Sequence, residues 1–122
     1  MLDIFAVGAG GFAGAVLRYL IGLVPVSETL VFPIKTFAIN ILGCLAIGMI
    51  AVALMRNANL HPQMVLFLKV GLCGGFTTFS TFALETTDLI KAGHPWIAFS
   101  YVALSVLIGI FVIFMVEYLS VE

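Results

Sequence analysis

The sequence predicts an all-α integral membrane protein with four transmembrane helices. Of its 122 residues, 63% are hydrophobic and only 9% are charged, whereas soluble domains have roughly 45–50% apolar and about 25% charged residues. The apolar residues fall into four runs, each long enough to supply the roughly 20 residues that cross a hydrocarbon core of about 30 Å. The net charge of −1 provides no basic surface for a nucleic acid.

The polar residues between the apolar runs define the four spans. We place the spans at about residues 4–24, 33–55, 64–91 and 96–119, and together they make one domain over residues 1–122. Pro25 and Glu28 mark the first loop, Arg56 and Pro62 bound the second, and Gly93 lies in the third. Because four spans are joined by short loops, both termini lie on the same side of the membrane.

The positive charges are nearly balanced across the membrane. Arg56 and Lys69 lie on the side of the termini, and Lys35, Lys91 and Arg18 lie on the other side. Lys and Arg near the ends of spans set the orientation of a membrane protein, so this balance leaves two alternatives. One is a single orientation that is weakly encoded, and the other is dual topology, in which copies insert both ways and pair antiparallel. Four helices leave little room for an internal pathway, which favours a homodimer.

Small residues in the first two spans predict close helix packing. Gly10 and Gly14 form a small-xxx-small pair in the first span, and Gly43 and Gly48 continue the pattern in the second. Such positions let helix backbones approach each other closely. The two cysteines, Cys44 and Cys73, also lie in apolar spans. We expect them to be buried packing residues rather than a disulfide or a metal site.

The segment Gly74–Phe82 is the least ordinary part of the third span. It places two glycines, four hydroxyls and three aromatic rings inside an apolar run. A break in a membrane helix is tolerated where the freed backbone groups are buried in protein or line a cavity, so the third helix is predicted to be broken here. Carbonyls freed around Gly74 to Thr77 could coordinate a cation. Phe79 and Phe82 share one face of the resumed helix, and their positive ring edges could hold a small anion.

Polar residues inside the other spans are further candidates for a site. Arg18 near the end of the first span either snorkels to the interface or supplies a positive charge at a pore vestibule. Asn40, with Thr36 one turn earlier, either staples two helices or donates from its amide to an anion. Tyr101 and Ser105 share one face of the fourth span. With Asn40 and Thr36 they would form a ladder of neutral donors.

No carboxylate lies at the centre of a span, which favours an anion over a cation. Proton-coupled transporters and cation pathways generally carry titratable carboxylates inside the membrane. Glu85 and Asp88 approach the exit of the third span, although Glu85 could line a path or accept hydrogen bonds. The alternative function is a small multidrug-type proton-coupled antiporter, which needs a carboxylate in the first span. This chain has none between Asp3 and Glu28. No nucleotide-binding motif is present, and we do not expect an enzyme.

Three segments in order resemble the Fluc (CrcB-type) fluoride channel family over essentially the full length of the chain. The segment Gly10–Tyr19, with its glycines and terminal Arg-Tyr pair, resembles the family's first-span signature. Thr36–Gly43 resembles the second-span element that carries an asparagine, and Gly74–Phe82 followed by Glu85 resembles the third-span signature. The resemblance implies a fluoride-selective channel that exports fluoride passively, lowers cytoplasmic fluoride and confers fluoride resistance.

The resemblance also implies an assembly and a set of site residues. The assembly is an antiparallel dual-topology homodimer in the lipid bilayer with two fluoride pathways, in the inner or plasma membrane of a bacterium. A structural sodium ion on the dimer axis is bound by the backbone carbonyls of Gly74 and Thr77. The anion pathway is implied to comprise the rings of Phe79 and Phe82, the polar track Asn40, Tyr101 and Ser105, the vestibule residue Arg18, and further contacts from Thr36, Thr78, Ser80, Thr81 and Glu85.

One position departs from the family pattern. Gly109 lies one turn after Ser105, where many members of the family carry a second hydroxyl. We therefore expect the polar track of the fourth span to be shorter here, or water to fill the gap.

Overall fold

The computed structural model describes residues 1–122, and the chain is helical throughout apart from its loops. Four helical segments are long and apolar enough to cross a membrane: Leu2–Gly22, Ile34–Arg56, Pro62–Lys91 and Pro95–Val121. The prediction of an all-α protein with four membrane spans is therefore confirmed. We name the first two α1 and α2.

The third span is made of four pieces. It begins with α3 (Pro62–Val65), continues as a π-helix (Leu66–Cys73) and a short helical turn, α4 (Gly74–Phe76), and ends with α5 (Phe79–Lys91). The fourth span is a single helix, α6 (Pro95–Val121). Proline occupies the first turn of both α3 and α6, where its missing N–H has no helical partner to lose.

The interruption in the third span lies within the segment Gly74–Phe82, at Thr77 and Thr78. Gly74 and Gly75 remain helical, whereas Thr77 and Thr78 take extended backbone conformations, with ψ angles of 159° and 119°. The axis of the span bends by only 17°. At this point the Thr77 hydroxyl donates to the Cys73 carbonyl at 2.8 Å, and the Thr78 amide donates to the side chain of Asn40 at 2.9 Å instead of to a helical carbonyl.

Glycines hold α1 against the π-helix and α4. A Cβ added to Gly71 would lie 2.7 Å from the Val7 carbonyl, and one added to Gly75 would lie 2.6 Å from the Gly11 carbonyl. A Cβ on Gly10 or Gly14 would also collide with backbone across this interface. The predicted close packing is confirmed at these glycines, and it joins the first and third spans of one chain.

Polar contacts at the two ends of the bundle show that successive spans run in opposite directions. At one end Gln63 donates to Asp3 at 3.1 Å, and Arg56 donates to the Ser120 carbonyl at 2.9 Å. At the other end Lys35 donates to the Gly22 carbonyl at 2.7 Å. Both termini therefore lie at the same end of the bundle. We call this end the terminal side and the opposite end the loop side.

The turn between the third and fourth spans depends on Gly93. Its φ angle of 86° lies in the left-handed region that favours glycine. The turn lets the His94 amide donate to the Leu89 carbonyl at 2.8 Å and the Gly93 amide donate to the Ile90 carbonyl at 3.1 Å. These bonds satisfy carbonyls at the end of α5 and return the chain into α6.

Candidate functional site

The main cavity is a groove of about 410 Å³ between α2, the third span and α6. Neutral donors, two phenyl rings, thiols and one lysine line it, and no carboxylate does. Its walls are formed by Asn40, Gly43, Cys44, Ile47, Lys69, Cys73, Gly74, Thr77, Thr78, Phe79, Phe82, Ser105 and Val106. The groove thus brings together seven of the predicted side chains and backbone positions from three different spans. A lining of this kind suits an anion because it offers N–H and O–H groups without a competing negative charge.

Asn40 pairs with the backbone at the interruption in the third span. Its Oδ1 accepts from the Thr78 amide at 2.9 Å, and its Nδ2 donates to the Thr78 carbonyl at 3.1 Å. The residue therefore staples α2 to the third span, which is one of its two predicted roles. The Asn40 amide nitrogen carries two N–H groups, and the bond to Thr78 uses only one of them.

The two phenyl rings lie side by side along α5. The centroids of Phe79 and Phe82 are 5.9 Å apart, with ring planes inclined at 45°. Phe82 also packs against Tyr101 with a centroid distance of 4.9 Å. Phe79 by contrast is 80% exposed. The structure therefore places both rings on the face that the sequence predicted, with one of them uncovered in the single chain.

Ser105 presents a hydroxyl without a partner. Its Oγ is buried and makes no hydrogen bond in the structure, and the residue lines the groove next to Val106. Serines in helices commonly donate to a carbonyl of the preceding turn, as Ser100 does to Trp96 at 2.9 Å. An unsatisfied buried hydroxyl costs free energy, so Ser105 is a donor available to a ligand in the groove.

Thr36 and Tyr101 form a separate cluster around Glu85. Thr36 donates to one carboxylate oxygen of Glu85 at 2.7 Å, and the Tyr101 hydroxyl donates to the other at 2.9 Å. Tyr101 is fully buried. The predicted ladder of four neutral donors is corrected here, because a carboxylate engages Thr36 and Tyr101, whereas Asn40 and Ser105 face the groove. The hypothesis that Glu85 accepts hydrogen bonds from its neighbours is confirmed.

A second, smaller cavity opens beside this cluster. It measures about 220 Å³ and lies at the loop side, under the segment that joins the first two spans. Glu85 and Thr36 line it together with Lys35. The Phe82 and Tyr101 rings lie in contact, with Phe82 lining the groove and Tyr101 bonded to Glu85 in the small cavity. This aromatic pair therefore lies between the two cavities.

Arg18 reaches the third span instead of extending only to the interface. Its Nε donates to the Gly75 carbonyl at 3.3 Å, and the side chain is half-buried. The Gly75 carbonyl lies next to the interruption of the helix, and Arg18 gives it a hydrogen-bond donor. The contact also keeps a fixed positive charge within one turn of Thr77, close to the groove.

Of the remaining predicted positions, Gly74 and Thr77 line the groove, whereas Ser80, Thr81 and Gly109 do not. No backbone hydrogen bond outside the regular helices ends on the carbonyl of Gly74 or Thr77, and a Cβ on Gly74 would meet nothing within 4 Å. Ser80 is exposed and Thr81 is half-buried, and neither lines the groove. Gly109 is buried, and a Cβ there would lie 3.1 Å from the Sγ of Cys44. The Cys44 thiol therefore lies beside Gly109, the position at which many members of the family carry a second hydroxyl.

Three features of the site were not predicted from the sequence. The π-helix of the third span has no local composition signal. Thr78 accepts from the Thr81 amide through its hydroxyl at 3.3 Å, which makes it the N-cap of α5, and the preference of threonine for this position could have indicated it. Lys69 lines the groove, although the sequence analysis used it only to count charges. Cys73 is buried, as predicted, whereas Cys44 is only half-buried.

Comparison with known proteins gives one family. The family model described as CrcB-like protein, Camphor Resistance (CrcB), matches residues 5–116. A protein of Chlorobaculum tepidum named fluoride-specific ion channel FluC is 47% identical over 115 residues, which cover 93% of this chain and 90% of the relative. Proteins with the same name from Flavobacterium psychrophilum and Pyrococcus horikoshii are 44% and 39% identical, and the matches cover 90% and 87% of this chain and 90% and 85% of those relatives.

Proposed function

The chain belongs to the CrcB family, and on this premise we propose that it is a fluoride channel that exports fluoride passively. By releasing fluoride down its electrochemical gradient, it lowers cytoplasmic fluoride and confers fluoride resistance. It acts as a channel and not as an enzyme. The observation that carries the proposal is the lining of the groove, which has neutral donors and phenyl rings and no carboxylate. A cation would find no anionic ligand there.

The groove offers fluoride several weak contacts in place of water. The Ser105 hydroxyl has no other partner, the second N–H of the Asn40 amide is not used by Thr78, and the edges of the two phenyl rings carry partial positive charge. Conduction requires sites that favour the ion and yet release it. Neutral donors meet this requirement better than a buried arginine or lysine in direct contact would.

Passage between the two cavities involves the donors around Glu85. An anion that moves beyond Phe82 meets the hydroxyls of Tyr101 and Thr36, and both hydroxyls already donate to the carboxylate. A second negative charge at this point would repel Glu85. We therefore expect Glu85 to release at least one hydroxyl each time fluoride passes. Arg18 and Lys35 supply positive charge on the loop side of this step.

We further propose that the channel is an antiparallel dual-topology homodimer in the inner membrane of a bacterium. Two observations support pairing. The near balance of Lys and Arg across the membrane sets no strong orientation, and Phe79 leaves 80% of its surface uncovered next to polar groups of the groove. A second copy would enclose this groove and keep lipid out of it. Two copies would provide two pathways.

The proposed structural sodium ion fits the carbonyl oxygens of Gly74 and Thr77. These oxygens accept no backbone bond outside the regular helices, Gly74 faces open space, and hard cations prefer oxygen ligands. Two such oxygens from each copy would make a set of four. When bound, sodium supplies the positive charge that holds the interrupted spans of the two copies together.

Fluoride efflux from liposomes tests the proposed function. Purified protein is reconstituted in vesicles loaded with potassium fluoride, and efflux is followed with a fluoride electrode after valinomycin sets the potassium flux. Fast efflux of fluoride, absent for chloride and independent of a proton gradient, is expected. Efflux that requires a proton gradient would instead indicate the antiporter, and no efflux of either ion would overturn a channel function.

A further inference from the structure

We propose that Lys69 is the charge that draws anions into the groove from the terminal side of the membrane. Lys69 lines the groove at a position about two turns, or about 10 Å, into the third span. The inference rests on the proposed fluoride conduction, and it assigns a residue outside the polar track and the phenyl rings. An ionisable residue inside a membrane span generally faces a cavity that admits water and ions.

The position of Lys69 along the groove follows from the third span. Lys69, Cys73 and Thr77 recur every four residues on the face that lines the groove. The third span begins at the terminal side, where Gln63 contacts Asp3. Lys69 therefore lies at the end of the groove nearest that side, whereas the phenyl rings lie toward the other end.

The other positive side chains near the site are engaged elsewhere. Arg18 donates to the Gly75 carbonyl and Lys35 to the Gly22 carbonyl, and Arg56 donates to the Ser120 carbonyl. Lys69 has no hydrogen bond or ion pair within the chain and is exposed. It is also the one charged side chain among the residues that line the groove, so its field acts on the contents of the groove without a neighbouring carboxylate to cancel it.

The size of the effect follows from Coulomb's law. A unit charge about 10 Å from an anion raises the local anion concentration roughly twofold in bulk water and more than tenfold at an effective dielectric constant of about 20. Salt reduces this attraction, because the Debye length falls from about 30 Å at about 0.01 M to about 3 Å at about 1 M. A role for Lys69 in attraction therefore has a salt dependence that a role in packing lacks.

The test compares fluoride currents of the full chain and three variants in planar bilayers. Lys69→Gln removes the charge, Lys69→Arg keeps it, and Lys91→Gln removes an exposed lysine that lines neither cavity. Ionic strength is set with a salt of impermeant ions at about 0.01 M and about 1 M. Size-exclusion elution and helicity confirm that each variant is folded, which is expected because Lys69 has no partner in the chain.

The expected result is a current lower by roughly twofold to tenfold for Lys69→Gln at low ionic strength, with the difference lost at high ionic strength. Lys69→Arg and Lys91→Gln should match the unmodified chain. A Lys69→Gln current equal to that of the unmodified chain at low ionic strength would overturn the inference, as would a reduction of the same size at both ionic strengths. An unmodified chain without any fluoride current would overturn the proposed function itself.

Discussion

The substitution Asn40→Ala separates the structural role of this amide from its role in the groove. It removes the acceptor of the Thr78 N–H and the donor to the Thr78 carbonyl, two bonds of 2.9 and 3.1 Å. A buried polar group that loses its partner costs about 1–3 kcal/mol, so the two together cost about 2–6 kcal/mol. Because Thr78 is only half-buried, we expect a value near the lower end, about 2 kcal/mol.

Ser105→Ala provides the matched control in the same groove. The Ser105 hydroxyl is buried without a partner, so its removal should change the free energy of unfolding by less than about 1 kcal/mol. Both substitutions remove a donor from the groove and should slow fluoride efflux. Unfolding is followed by far-UV circular dichroism during titration of mixed micelles with dodecyl sulfate, and efflux is measured in liposomes. Equal stability of Asn40→Ala and the unmodified chain would refute the assigned staple.

Three further results are expected. Phe82→Ile should abolish fluoride efflux in liposomes without changing the size-exclusion elution of the assembly, because isoleucine has no positive ring edge; efflux at the original rate would contradict the role of the ring. Tyr101→Phe should lower the free energy of unfolding by about 1.5–3 kcal/mol, because the hydroxyl donates to a charged carboxylate. When it is combined with Thr36→Val, the double-mutant cycle should give a coupling energy of at least about 0.5 kcal/mol, because both hydroxyls donate to the same Glu85. Additive effects in that cycle would show that the carboxylate is not shared. Gly14→Ala should destabilise the chain by roughly 1–3 kcal/mol, because its Cβ would lie 2.7 Å from the Phe76 amide nitrogen. Gly8 has open space around it, so Gly8→Ala should not lower the free energy of unfolding in the same titration.

The interruption in the third span shows how far sequence alone could locate an irregularity. The cluster of glycines and hydroxyls in Gly74–Phe82 indicated a break, and the structure has one within that segment. Its exact place depends on Thr77, whose hydroxyl bonds to the Cys73 carbonyl, and on Asn40, which takes both backbone groups of Thr78. Glycine propensity pointed to Gly74, which has open space around it and remains helical, because the side-chain partners that interrupt the helix act at Thr77 and Thr78.

The hydrogen-bond partners of the polar residues could not be predicted from the sequence either. Composition identified Thr36, Asn40, Tyr101 and Ser105 as interior donors, and all four lie inside the bundle or at its cavities. Their partners are distant in the chain: 49 residues separate Thr36 from Glu85, and 38 residues separate Asn40 from Thr78. No local pattern contains such pairings, so the division of the donors between the groove and the Glu85 cluster could not be predicted.

The sequence by itself determined that the protein lies in a lipid bilayer, how many times it crosses the bilayer, and which segments contain the polar residues of the site. These properties depend on the hydrophobicity and type of each residue along the chain. Only the tertiary structure decided which donors are already bonded and which are free for an anion. That decision depends on the close approach of α1 to the third span through glycines and on the packing of α2 against α6. Hydrogen bonds require partners within about 3.5 Å, and only the folded bundle sets those distances.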